Sequence, residues 1–564
     1  MKPTVIISLL FILIHPVTAQ SPWTKMWDKR FGGATTDILT TIAATSDDGL
    51  LIGGQSWSQA GADKTDSNCT SGFTAADYWI VRTDSSGGKL WDRTFGGNTS
   101  EILNQVLEIS SGQFMIAGHS ISDSTCDKSY HSWGNNSYDY WILKLDTNGN
   151  KIWDHAYGGT RDDKLQLMMP APDGGFILAG TSSSDSSGDK SQNSWHNPQN
   201  NNPTNDYWIV RIDSTGNKLW DRTFGGTAQE QLTCIQFTDD GGYIIGGFST
   251  SGISGDKSEA SFDTSVNNTN YKSDYWIIKT DSLGIKEWDR TYGGLNQDHL
   301  FSIVQSPDRG FMLGGYSKSG TGGNKSQQGN GGFDYWIVRT DSVGNIVWDR
   351  SLGGSGNDGQ WSMWPWVDTG YLIADKDGGY IMSGASESGI SGDKTENNLG
   401  PRQVWVVKVD SLGNKIWDKT IFTNATEDNG IMVTKGDSCF VIGIGTDAGP
   451  GGEKTEPSQG VTDYWTVVYC QPAMYVGTGH EAIALNPEIY PSPCQNELHI
   501  SLPGTRHGKV SVNIYDVPGQ KVAALEHIGL EHIVVTAFSA LSPGMYVVEV
   551  IEGQGRSVSK VIKQ

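Results

Sequence analysis

Internal repetition constrains this chain more than any other feature. The segment Lys-Leu-Trp-Asp-Arg-Thr-Phe-Gly-Gly and its variants recur around Trp27, Trp91, Trp153, Trp220, Trp288, Trp348 and Trp417, at spacings of 60 to 69 residues. A second marker, Asp-Tyr-Trp-Ile-Val-Arg, centres on Trp79, Trp141, Trp208, Trp276, Trp336, Trp405 and Trp465; its sixth copy departs, reading Arg-Gln-Val-Trp-Val-Val. A third, Gly-Asp-Lys, recurs around Lys64, Lys128, Lys190, Lys257, Lys325, Lys394 and Lys454. Repeated units bury their apolar faces against one another, so the repeat must be read before any single residue.

The fourth unit shows the pattern most clearly. Residues 230–237 alternate, Asp240-Gly241-Gly242 make a turn, and 243–249 form a short apolar run. A polar loop follows, then the β-branched and aromatic stretch 274–280, a Gly-containing turn, and 286–294. No segment carries a helical period. Four strands in each of seven units predict an all-β, seven-bladed β-propeller over residues 20–470. The array starts on a fourth-strand copy at 24–33 and ends on a third strand at 463–470. The N-terminal strand is therefore expected to complete the last blade and close the ring, which removes an exposed seam. The fourth-strand tryptophans are expected to pack between blades, and the following Gly pair to let the chain cross to the next inner strand.

Composition agrees. Glycine (72 residues) and tryptophan (21) are abundant although apolar residues make up 36% of the chain, below the usual share of about 45–50%. The net charge is −22. That balance argues against sequence-independent binding to nucleic acid and against an anionic membrane surface. Lys2, the apolar run Val5–Ile14 and Val17-Thr18-Ala19 read as a signal peptide over 1–19. No later stretch is long enough to cross a membrane, and a monomer is expected. In an oxidising compartment the six cysteines are candidates for disulfides. Cys439 begins one strand and Cys470 ends the next, and Cys69 and Cys126 occupy equivalent loops of consecutive units; Cys234 and Cys494 look unpaired.

The repeat stops after Cys470, and 471–487 read as a linker. Residues 488–564 then carry Tyr490–Pro493, Ile514–Val522, Leu541–Val550 and a terminal Lys-Val-Ile-Lys-Gln, strands separated by Pro and Gly turns that suggest a small β-sandwich. This tail resembles the C-terminal sorting domain of the type IX secretion system of Bacteroidetes, with Ser492 where the family usually has Asn. The resemblance implies export through the outer membrane, the secretion machinery as partner, and removal of the tail. The array resembles secreted bacterial repeat propellers, and such a fold leaves function open.

Three features are candidate sites. One acid lies at the same place in every unit: Asp37, Glu101, Asp163, Glu230, Asp298, Asp358 and Asp428. If the strand it opens is innermost, these acids encircle a channel mouth and would suit a hard cation such as calcium; otherwise each caps a turn or pairs with an arginine such as Arg93 or Arg222. The sixth unit carries nine extra residues between Gly354 and Asp377, and Trp361, Trp364, Trp366 and Tyr371 crowd there. That cluster would stack on sugar rings, hold a protein partner, or plug the centre. The long loops 57–76, 121–138, 182–205, 250–273, 317–333, 386–402 and 447–462 share one face. Their acid pairs, such as Asp189 with Asp206 and Asp256 with Asp274, would clamp a cation or bond their own loops. The tips at Asp281, Asp341 and Asp410 fit a short O-glycosylation pattern or a plain turn. No nucleophile elbow, phosphate loop or paired-histidine motif is present. The leading expectation is a non-enzymatic module at the cell surface or outside the cell, binding a glycan or protein. The alternatives are a glycan hydrolase or lyase with channel-mouth carboxylates, and a purely structural or adhesive protein.

Overall fold

The computed structural model describes residues 23–564 except 71–74, 111, 197–203, 263–272, 360–370, 377, 427, 437–438, 472–487, 503–508, 517–520, 529–531 and 553–554. The signal segment, most of the linker, and Trp361, Trp364 and Trp366 lie outside the described residues. The chain divides into two compact units, Met1–Pro472 and Ala473–Gln564.

The described residues of the first unit form seven four-stranded antiparallel sheets, none of which closes on itself. Six use four strands consecutive in sequence. In the fourth these are Glu230–Phe237, Tyr243–Ser249, Asp274–Thr280 and Lys286–Tyr292. The sixth begins on a short strand, Tyr371–Ala374. The seventh combines Asp428–Lys435, Cys439–Thr446 and Asp463–Cys470 with Thr24–Phe31 from the start of the array. Phe31 lies opposite Tyr464, and Trp27 opposite Val468. Cys439 and Cys470 are disulfide-bonded across this sheet, with Cα atoms 4.0 Å apart.

The three sequence markers meet in one cluster within each sheet. The third-strand tryptophan is fully buried, and its indole N–H donates to the fourth-strand aspartate. The bond is 3.0 Å for Trp79–Asp92 and Trp276–Asp289, 3.1 Å for Trp208–Asp221, and 2.9 Å for Trp465–Asp28. The same aspartate accepts the backbone N–H and hydroxyl of the residue after the Gly-Asp-Lys lysine, as Asp289 does from Ser258 at 2.9 and 2.7 Å. That lysine is buried and sits over the indole face: Lys257 is 5.7 Å from the Trp276 centroid and Lys325 5.0 Å from that of Trp336. A buried indole N–H needs an acceptor, and here the acceptor also anchors the long loop.

The tyrosine of Asp-Tyr-Trp joins consecutive sheets. Its ring packs on the next sheet's tryptophan and its hydroxyl donates to that residue's carbonyl, at 3.0 Å for Tyr140–Trp208 and 2.9 Å for Tyr275–Trp336. The last sheet makes the same contact with the first: Tyr464 donates to the Trp79 carbonyl at 3.2 Å, with ring centroids 4.8 Å apart. In the sixth sheet Val404 replaces this tyrosine and packs on Gly430, where an added Cβ would lie 2.4 Å from Val404 Cγ1. The fourth-strand tryptophans cover the next sheet's hairpin: a Cβ on Gly284 (φ +72°) would meet Trp220 at 3.0 Å.

The second unit is separate. A three-stranded and a four-stranded sheet share one core that includes Leu498, Ile500, Ile533 and Val512, Val548, Val550. That is a small sandwich.

Deleting Thr24–Phe31 removes Asp28, the acceptor for Trp465, along with the edge of the seventh sheet. The truncated chain is expected to lose at least about 10 °C of melting temperature, read by calorimetry. An unchanged transition would contradict the pairing.

Candidate functional site

The repeated acids are buried parts of the scaffold. Asp298 accepts the backbone N–H of Gly294 at 2.8 Å and the Ser319 hydroxyl at 2.9 Å. Asp163 does the same with Gly159 at 2.6 Å and Ser184 at 2.9 Å. Asp37 takes Gly33 and Ser58 at 2.6 and 3.1 Å, and Asp358 takes Gly354 and Ser388, both at 2.7 Å. Glu101 takes Gly97 at 3.2 Å and Ser120 at 3.0 Å; Glu230 takes Gly226 at 3.0 Å and Ser249 at 2.8 Å. All six are buried. Asp428 opens its strand, and its side chain lies outside the described residues. Turn-capping is thus what these acids do. Arg93 and Arg222 lie instead over Trp91 and Trp220.

Five of the acids also face the third-strand aspartate of the preceding sheet, as in Asp274 with Asp298 and Asp206 with Glu230. Burial pushes Asp298 and Asp163 up to about 6. Burial, reinforced by Asp298, takes Asp274 to about 7. Burial and the facing Glu230 push Asp206 upward as well. The glycine pair has no positive φ; it is required by close approach. A Cβ on Gly293 would fall 2.0 Å from Asp274 Oδ1. In the sixth sheet the third-strand acid is replaced by Gln403, whose amide donates to the Arg402 and Ala425 carbonyls, both at 2.8 Å, and accepts from the Thr423 N–H at 2.7 Å.

The loop acids are likewise engaged. Asp189 accepts the Trp133 indole N–H at 2.8 Å and Asp256 that of Trp195 at 2.9 Å, whereas Asp206 and Asp274 accept the backbone N–H of Trp195 and Phe262. Each loop thereby clasps the next sheet. Trp133 and Trp195 lie against Gly188 (φ +57°) and Gly255 (φ +58°). At the equivalent place between the first two sheets, Cys126 (φ +52°) is disulfide-bonded to Cys69, with Cα atoms 6.3 Å apart. Cys234 and Cys494 are free and buried. Among the described residues no group of three or more His, Cys, Asp or Glu could hold a metal ion.

A cavity of about 390 Å³ is bounded by first-strand side chains from all seven sheets, among them Thr40, Gln105, Leu167, Thr233, Phe301, Tyr371 and Ile431. None of the six described acids is among the residues lining it. The six described acids bond into their loops, and Thr, Gln, Asn, aliphatic and aromatic side chains line the cavity. Tyr371 lines this cavity while packing on the cores at the sixth, seventh and first sheets.

The residue after each described acid of the first five sheets, and its cross-strand partner, differ from sheet to sheet. The pairs are Ile38–Gln55, Ile102–His119, Lys164–Thr181, Gln231–Phe248 and His299–Tyr316. Between the fourth and fifth sheets the space is filled: His299 stacks on Phe248 at 3.8 Å, and its Nδ1 is 2.8 Å from the Tyr316 hydroxyl. Between the second and fourth sheets it is open. A cavity of about 180 Å³ there is lined by His119 of the second sheet, Asp162, Lys164, Gln166, Thr181 and Asn205 of the third, and Gln231 of the fourth. The variable position after a constant acid is the sequence signal that marks this cavity.

Residues 488–564 match the model of the secretion-system C-terminal sorting domain family. Such a domain marks a protein for export to the cell surface or extracellular space and for contact with the secretion machinery. Over 170 residues, 30% of this chain, the sequence is 26% identical to the regulatory protein FlaEY of Caulobacter vibrioides, covering 18% of that protein's length. Similar solved structures include the Pan2 WD40 domain of Neurospora crassa (10% identity, TM-score 0.40, 81% of this chain and 98% of that one). Another is a fungal alcohol oxidase of the AA5 family in complex with copper (9% identity, TM-score 0.38, 96% and 100%).

The buried acids set the pH response. Their folded pKa values lie above the unfolded ones, so their contribution is complete below about pH 4 and is lost as pH rises through about 6 to 7. The fourth-strand aspartates, such as Asp289 and Asp221, are held below the usual value by lysine and serine hydrogen bonds that outweigh burial, and act oppositely below about pH 4. Resistance to denaturant is therefore expected to peak near pH 5 and to fall toward pH 7.5. Asp274→Asn, which places a neutral amide where the sixth sheet has Gln403, should flatten part of that fall. A stability maximum at pH 8 would contradict it.

Proposed function

We propose that the chain is an exported, closed seven-bladed β-propeller that works as a non-enzymatic binding module. Supporting the ring are the strand exchange at its seam, the Tyr464–Trp79 contact, and the cavity to which all seven sheets contribute. One observation carries the functional reading. The repeated carboxylates are consumed by their own loops, while His119, Lys164, Thr181 and Gln231, which differ from their counterparts in other sheets, line a cavity. Ligand chemistry resides in that variation. A glycan-cleaving enzyme needs two carboxylates that reach substrate; the facing acid pairs here are buried beneath loop backbone and serine hydroxyls.

The test uses the exported chain on a glycan array and in a protein-interaction screen, alongside assays for glycan cleavage. Saturable binding without turnover is expected. Cleavage of a bound glycan would overturn the reading, as would the absence of any ligand in both screens.

A further inference from the structure

We propose that the cavity between the second and fourth sheets is a binding site for one neutral sugar residue of a glycan. This rests on the reading of the protein as a binding module and names its ligand class. The cavity, about 180 Å³, suits a single small polar group, being smaller than the roughly 300–1,000 Å³ of drug-sized pockets. Every described residue that lines it carries a polar group.

The donor and acceptor set fits hydroxyl groups, each of which both gives and takes a hydrogen bond. His119 is buried, with Nδ1 3.3 Å from the Leu165 carbonyl; its Nε2 is buried without a hydrogen-bond partner. Burial holds the imidazole neutral, at about 3. Nε2 accepts or donates according to which ring nitrogen carries the proton. Asn205 and Gln231 add amides, which offer donor and acceptor together. Lys164 Nζ lies 3.0 Å from Asp162 Oδ2, so the two charges cancel and a charged ligand gains little. An unpaired buried ring nitrogen costs free energy until it gains a partner.

A second observation points to sugars. Among the described residues of this unit the exposed aromatic rings are Tyr130 (41%), Trp133 (54%) and Trp195 (45%). All three lie on loops of the second and third sheets, the sheets that supply six of the seven described lining residues. The Trp133 and Trp195 indole N–H groups are already bonded to Asp189 and Asp256, so the rings are fixed. Fixed, half-exposed indoles stack well on the C–H faces of sugars. Tyr138 links the features: five residues after Trp133, its ring is 5.0 Å from that of His119 and 5.2 Å from Lys164 Nζ.

The experiment is saturation-transfer NMR on the full chain with glucose, galactose, mannose and N-acetylglucosamine. Glucuronic acid and glycine serve as charged counterparts. At least one neutral sugar should bind, and Lys164→Ala and Gln231→Ala should each weaken it at least tenfold. Gln55→Ala, at the His119 position of the first sheet, should leave it unchanged. Should Lys164→Ala fail to fold, Gln231→Glu is the substitute, with the same tenfold loss expected. The proposal is overturned if no neutral sugar binds, if a charged counterpart binds better, or if binding survives the cavity variants. Retained capture of a polymeric glycan or protein by those variants would overturn this site and leave the binding-module reading standing.

Discussion

The first unit depends on one hydrogen bond made seven times, from a buried indole N–H to a fourth-strand aspartate. The indole fills the space between sheets, and its polar edge must be satisfied. The aspartate that satisfies it also receives the Ser or Thr that follows the buried lysine, which fixes where the long loop leaves the sheet. From the same strand, the neighbouring tyrosine reaches the next tryptophan's carbonyl. A single tripeptide therefore orders its own sheet, its loop and the adjoining sheet. A chain with 36% apolar residues can fold on that basis because its large aromatics recur where sheets meet.

Burying so many carboxylates has an electrostatic consequence. Each facing pair lies where two full charges would be costly, so burial favours the protonated form. Gln403 shows that a neutral amide can occupy the same place. The glycine pair belongs to this arrangement too, since a side chain there would collide with the third-strand carboxylate. The acidity of the chain is therefore partly internal chemistry and only partly a surface property.

Much of the fold was legible in the sequence. Three markers with a common period located the strands, and the register offset placed Thr24–Phe31 in the last sheet. The tail was readable from its Pro and Gly turns and its motif pieces. The site was harder. Spacing put the acids at strand starts, but whether an acid faces a channel or its own loop depends on tertiary folding, here on Gly and Ser groups that close over it. The clasp from Trp133 to Asp189 joins loops of different sheets, with nothing local to reveal it. His119 belongs to no histidine motif, and its place depends on Lys164, which only tertiary folding brings to the same cavity. The aromatic cluster at Trp361, Trp364 and Trp366 falls outside the described residues.

A double-mutant cycle on Trp276 and Asp289 tests the central interaction directly. Unfolding by denaturant would be measured for the parent chain, Trp276→Phe, Asp289→Asn and the pair. The Trp276 Nε1–H to Asp289 Oδ2 distance of 3.0 Å in a fully buried setting predicts a coupling of at least about 1 kcal/mol. Additive losses would contradict the account, because the indole and the carboxylate would then be stabilising the sheet independently.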